Sequence, residues 1–162
     1  PSGLPLIVAT LPEHRELFRQ VSHNPFLMDK GIDIHPDALP SGELRQRAWR
    51  LVEPHYLGRL DALVEEFGSA EAEDLGEEDV LRVAKAVVAG RVATLLIEAD
   101  RQIPGRIDAE TGDIQFADSA DPEVDEVLDD LGELTLKMGG QVVIVPAERM
   151  PTKTGIAAIY RY

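Results

Sequence analysis

The stretch GGQVVIVPAERMPTKTGIAAIYRY, residues 139–162, decides how the chain is read. Gly139 and Gly140 stop a helix, and Val142, Val143, Ile144 and Val145 make a short apolar run. A polar loop follows, and a second apolar run at residues 156–160 ends the chain. Helix stop, strand, loop and strand are therefore expected here. Gly139-Gly140-Gln141 also spells a tripeptide that carries chemistry in one class of proteins, so one stretch poses a structural and a functional question.

Outward from Gly139, Val124, Val127, Leu128, Leu131, Leu134 and Met138 share one face of a helix expected to open at Asp121 or Pro122. Residues 105–116, GRIDAETGDIQF, predict an exposed hairpin whose turn needs a positive dihedral at Gly112. Residues 92–97, VATLLI, are the most apolar run and predict a central strand covered on both faces. A helix over residues 79–89, with Val80, Leu81, Val83, Ala84 and Val87 inward, feeds that strand through a cap at Gly90. A helix running straight into a buried strand is an α/β signature.

Upstream, residues 69–78 read as an acidic loop, and residues 41–67 as a helix that Pro54 should kink or split. Trp49 on that helix, near Arg45, Arg50 and Glu53, is expected to pack against a neighbouring domain, with ligand stacking as the lesser alternative. Residues 4–9 predict a buried strand, followed by a short amphipathic helix carrying Leu17, Phe18 and Val21. The segment after it is rich in Pro, Gly, Asp and Asn, which is connector composition, and a boundary is placed near Ser41.

A chain of 162 residues with 44% hydrophobic content supports one core plus a fragment of a second domain. Its net charge of −14 repels phosphate backbones and anionic membranes, so naked nucleic acid and membranes are not expected partners of the chain as a whole. Absence of cysteine excludes disulfides, thiolate metal sites and cysteine nucleophiles, and fits a reducing compartment. With no leader and no membrane-length apolar run, a soluble, cytoplasmic piece of a longer protein is expected. The charge is uneven. Residues 121–133 hold seven carboxylates and no base, whereas residues 137–162 hold Lys137, Arg149, Lys153 and Arg161 against Glu148 alone, a basic island.

The order of helix, AVVAGRVATLLI (86–97), hairpin, LDDLGELTLKMGGQVVIVP (128–146), loop and GIAAIYRY (155–162) resembles the C-terminal domain of archaeo-eukaryotic class one peptide chain release factors and of Pelota, and in particular the bacterial branch of that family. The resemblance covers residues 57–162 and, more loosely, the start. It implies an α/β fold, a three-layer α/β/α sandwich around a mixed sheet of four or five strands, preceded by a remnant of a second α/β domain. Residues 1–40 would be that remnant of the family's middle domain, 41–67 a linking helix, and 68–162 a C-terminal interaction domain. The implied role is non-catalytic docking on the ribosome or a translation factor, in termination or in rescue of stalled ribosomes. The family's catalytic Gly-Gly-Gln loop would lie before Pro1, which leaves the parent protein a candidate peptidyl-tRNA hydrolase.

The residues themselves narrow the site. A catalytic Gly-Gly-Gln needs a flexible loop tip, yet Gln141 leads directly into an apolar run and the glycines follow a helix that needs a stop. They are read as structural, and no catalytic residue is assigned. His14, His23, His35 and His55 lack paired-ligand spacing, so no metal and no cofactor is expected. Lys153-Thr154-Gly155 matches a β-lactamase motif, but no Ser-x-x-Lys accompanies it. The paired carboxylates read as solvated helix faces. The loop at residues 146–154 remains, at the end of a sheet, with Arg149 and Lys153 as candidate partner-binding residues. Two alternatives stand beside docking: part of a hydrolase with its site at the strand ends, and a kink-turn type RNA-binding module.

Overall fold

A computed structural model describes residues 4–117 and 125–162. The chain forms two compact units, Pro1–Arg59 and Leu60–Tyr162.

In the first unit β1 (Ala9–Thr10) pairs in parallel with β2 (Ile32–Asp33), and Leu6 and Leu27 add an isolated bridge. The strand expected at residues 4–9 is thus paired only in part, because its partner offers two residues. Between them α1 (Pro12–Val21) starts with Pro12, whose missing N–H costs nothing in a first turn. Arg15 and Arg19 on α1 pair with Asp33 and Asp29. Leu17, Phe18 and Val21 point to solvent, and α1 buries no residue.

The long helix α2 (Ser41–Ala72) departs from expectation by running unbroken past Pro54 and by absorbing residues 69–72. An interior proline removes one hydrogen bond and crowds the carbonyl four residues back, at about 3 kcal/mol, yet the 32-residue helix continues through it. From Leu60 onward the helix belongs to the second unit and is anchored there by buried Leu60, Phe67 and Ala70. It stops at Asp74, which takes the left-handed conformation (φ 61°) while the Leu75 N–H donates to Ala70 O.

The second unit is a mixed sheet with helices packed against it. Its strands are β3 (Gly76–Glu77), β4 (Val92–Glu98), β7 (Gln141–Val145) and β8 (Ile156–Tyr160), in the spatial order β3-β8-β4-β7. β8 runs antiparallel to both neighbours, and β4 and β7 are parallel. The short strand β3 was expected to be loop. It has no apolar run to announce it and exists because Gly76 and Glu77 find Ile159 and Ala158 as partners.

Register sorts the core into two faces. Leu95 lies opposite Val142 and Ala158, and Ile97 opposite Ile156. These residues pack in one cluster with Val83, Ala84 and Val87 of α3 (Val80–Val88) and Val127, Leu128 and Leu131 of α4 (Val127–Lys137). On the other face Leu96 and Ala157 are fully buried, and a Cβ on Gly76 would lie 2.7 Å from the Glu71 backbone, which puts the end of α2 there. The central strand is therefore covered from both sides, as VATLLI predicts. Leu81, expected inward, is 44% exposed.

Between β4 and α4 sits the hairpin of β5 (Gly105–Ile107) and β6 (Ile114–Phe116), with Gly112 at φ +73° as its turn requires. Asp79 caps α3 through the Arg82 N–H, and Glu126 caps α4 through the Asp129 N–H. The helix start expected at Asp121 or Pro122, and Val124 with it, lies outside the described residues.

Candidate functional site

Gly139-Gly140-Gln141 is a joint between α4 and β7. Gly139 has φ +75°, and the Gly140 N–H donates to Thr135 O at 2.9 Å, which closes the last turn. A Cβ on Gly140 would lie 2.7 Å from Thr135 Cγ2 and 2.9 Å from Val92 O, so no side chain fits. Gln141 is the first residue of β7 and lies opposite Thr94. A tripeptide held by a helix end and a sheet has no reach.

The closing residues bind this joint to the equivalent one after α3. Arg161 donates to Gly90 O at 2.9 Å and to Met138 O at 3.4 Å, so one guanidinium meets the carbonyl ends of α3 and α4. The Arg161 N–H donates to Arg91 O at 2.8 Å, and the Arg91 guanidinium lies over the Tyr160 ring at 4.8 Å. Burial raises the Tyr160 pKa, and the nearby Glu77 carboxylate adds to the effect.

The loop at residues 146–154 begins with a 3-10 turn, Ala147–Arg149, and ends in a hydroxyl network. Thr152 Oγ1 donates to Ile156 O at 2.8 Å, and Thr154 Oγ1 lies 3.1 Å from the same oxygen. Gly155, at φ +85°, leaves room for Arg101, and its carbonyl accepts from the Glu98 N–H at 2.9 Å. The loop is thereby fastened to the ends of β4 and β8.

Its two candidate residues have different environments. Arg149 pairs with Asp61 of α2 at 2.5 Å, beside a shallow groove of about 450 Å³ lined by Val64, Met150 and Pro151. Lys153 is exposed and forms no ion pair among the described residues. Lys137 pairs with Glu133 at 2.6 Å, and Arg161 is spent on the helix ends. Of the four cations in the basic island, Lys153 is the one left uncommitted among the described residues.

Two adjacent carboxylates before α4 have structural tasks. Glu126 accepts from the Ile103 N–H at 2.6 Å as well as capping α4, and Asp125 pairs with Arg106. Asp130 has its pKa raised, first by burial and then by Asp125 and Glu133. Asp108 has its pKa lowered by the backbone N–H groups of Thr111 and Glu110 in the hairpin turn.

All four histidines belong to the first unit. His35 accepts from the Asp37 N–H, and His55 lines a mainly apolar pocket with Pro5, Phe26, Leu27 and Met28. The pocket's carboxylate, Asp29, is held by Arg19. Among the described residues no group of three His, Cys, Asp or Glu is placed to hold a metal, and no helix is long and apolar enough to cross a membrane.

Arg45 and Arg50, near Trp49 in the sequence, form with Arg59 a second cationic stretch on α2, over residues 41–59, which the charge count along the chain does not bring out. Arg45, Arg50 and Arg59 are exposed there, and no ion pair engages them among the described residues. Trp49 is 49% exposed, its ring tilted against Tyr56 with centroids 5.9 Å apart.

A family model described as bacterial archaeo-eukaryotic release factor family 3 matches residues 1–91. That span holds the first unit, α2 and α3, whereas the motifs that carried the resemblance lie mostly after it. No curated protein matches the chain. Among solved structures, the C-terminal domain of the peptide chain release factor from Methanosarcina mazei is 20% identical, with a TM-score of 0.59 over 75% of this chain and 92% of that one. Pelota from Archaeoglobus fulgidus is 18% identical, with a TM-score of 0.51 over 98% of this chain and 49% of its own. An archaeal Pelota, in a model of ribosome-bound Pelota and ABCE1, is 19% identical, with a TM-score of 0.50 over 92% of this chain and 39% of its own. The chain thus spans half or less of each Pelota, and at these identities the likeness is one of fold.

Proposed function

The chain belongs to bacterial archaeo-eukaryotic release factor family 3, and from that premise we propose that it is the non-catalytic docking part of a cytoplasmic release-factor-like protein, one that binds the ribosome or a translation factor in termination or rescue. In this reading residues 1–40 are the remnant of the middle domain, 41–67 the link, and 68–162 the docking domain. Peptidyl-ester hydrolysis, if the whole protein performs it, belongs to another part of that protein.

The observation that carries the reading is the state of the loop at residues 146–154. Its backbone is fastened at both ends, Arg149 is held by Asp61, and Lys153 is presented without a partner among the described residues. A rigid loop carrying one open cation loses little entropy on binding an anionic or carbonyl-rich surface. The ribosome-bound state of the archaeal Pelota of similar fold adds support for the kind of partner. Against a hydrolytic role for Gly139-Gly140-Gln141 speaks its tight placement between a helix end and a strand.

The test is co-sedimentation of the whole protein with 70S ribosomes, empty and stalled, at low salt. The wild-type protein is expected to pellet, and Lys153→Glu to weaken binding roughly three- to tenfold, the effect of reversing one rim charge. A wild-type protein that stays in the supernatant with both kinds of ribosome overturns the reading.

A further inference from the structure

We propose that residues 41–59 of α2 form an RNA-contact face, on which Arg45 and Arg59 hold phosphates and Trp49 stacks an unpaired base. The proposal rests on the docking reading and names a second contact for it, on a different element from the loop at residues 146–154.

Charge singles out this stretch. Residues 41–59 hold four arginines against Glu43 and Glu53, while residues 60–79 hold nine acidic side chains and no base. A chain of net charge −14 therefore reverses sign along one helix. Arg47 is taken by Glu43 at 2.7 Å, whereas Arg45, Arg50 and Arg59 are exposed with no ion pair among the described residues. Three guanidinium groups left unneutralised in an acidic protein are a local focus for an anionic ligand.

Geometry selects the residues that act together. At 3.6 residues per turn, Arg45, Trp49, Tyr56 and Arg59 fall within an arc of about 80°, and Arg45 and Arg59 stand about 21 Å apart along the axis. Trp49 lies between them, 49% exposed, with Tyr56 bracing one side of the indole at a 51° tilt. An indole kept half in water, at a helix position between two arginines, forgoes burial that a tryptophan ordinarily obtains.

The chemistry favours RNA over an acidic protein. Both would satisfy the arginines, but a base also offers a flat π surface to the indole, and guanidinium groups grip phosphates bidentately. The stack requires an unpaired base, because an A-form duplex keeps its bases closed. The acidic remainder of the chain would hold the strand to this face alone.

Trp49 is the chain's one tryptophan, so its fluorescence reads the contact directly. The 162-residue chain is titrated with a single-stranded RNA decamer and, separately, with polyglutamate. Saturable quenching by RNA is expected, weakening at higher salt and lost when Arg45→Glu and Arg59→Glu are combined. Binding of a fluorescently labelled decamer by Trp49→Ala should fall roughly fivefold or more, as for loss of one stacked base. No quenching by RNA, quenching that survives the double reversal, or quenching by polyglutamate alone overturns the proposal, the last in favour of an acidic protein partner. In the whole protein, ribosome pelleting unchanged by the double reversal sinks this face and leaves docking intact. A wild type that never pellets removes the docking reading, and this inference with it.

Discussion

The stops after α3 and α4 are 49 residues apart in sequence and nearly superimposable in their bonding. Gly90 and Gly139 take φ of +68° and +75°, and the N–H of the next residue donates to Ala86 O in one and Thr135 O in the other, both at 2.9 Å. Each leads at once into a strand, and the two strands are parallel neighbours. They differ at the following position, where the first stop has Arg91 and the second Gly140. Arg91 has room to reach over Tyr160, whereas a side chain at Gly140 would strike Thr135 and the Val92 carbonyl. The second glycine of the tripeptide thus answers to a close approach of backbone, and the first to a helix stop that Gly90 performs with no glutamine following. The stop at Asp74 reaches the same bond with no glycine at all. A catalytic spelling can arise wherever a helix ends tightly against a sheet.

The largest effect expected from this pairing is at its point of difference. Gly140→Ala should cost about 1–3 kcal/mol of stability, the range for forcing atoms into a packed site, as measured by denaturant midpoint. A neutral outcome would mean that the approach to Val92 O does not constrain the joint.

Arg161 is what the two stops share. Arg161→Ala should cost about 1–2 kcal/mol and lower amide protection at both helix ends together, because one guanidinium serves Gly90 O and Met138 O. Loss of protection at one end alone would separate the stops. The smallest effect is expected at Gln141, which is exposed at the start of β7. Gln141→Ala should change stability by no more than about 0.5 kcal/mol and leave any peptidyl-tRNA hydrolysis by the whole protein unaltered. A collapse of that activity would break the comparison outright.

Much of the second unit was legible because its signals are local. Asp79, Gly90, the run at residues 92–97, the turn at Gly112 and the stop at Gly139 each act within a few residues of themselves. Three features were not. Nothing in Gly76-Glu77 reads as a strand, since β3 is defined by its partner β8. Pro54 did not split the helix, which is anchored beyond it through Leu60 and Phe67. The basic island was counted correctly, but its Arg149 is taken by Asp61, 88 residues away in sequence, and its Arg161 by two helix ends. Net charge is additive along a chain and availability is not, because an ion pair depends on what lies opposite.

The amino-acid sequence by itself determined an α/β unit in which helices stop at glycines and feed apolar strands, since capping, positive φ and hydrophobic periodicity are properties of neighbouring residues. It also determined the absence of thiol chemistry and an acidic balance hostile to phosphate over most of the surface. Tertiary structure alone decided that β8 lies between β3 and β4 rather than beside β7, because strand order follows from how both faces of VATLLI are buried at once. It decided too that Lys30, Arg45, Arg50, Arg59 and Lys153 are exposed and outside ion pairs among the described residues, while the exposed Arg91 and Arg161 bond backbone carbonyls. Which charges remain open is a question of three-dimensional neighbours, and spacing along the chain does not contain them.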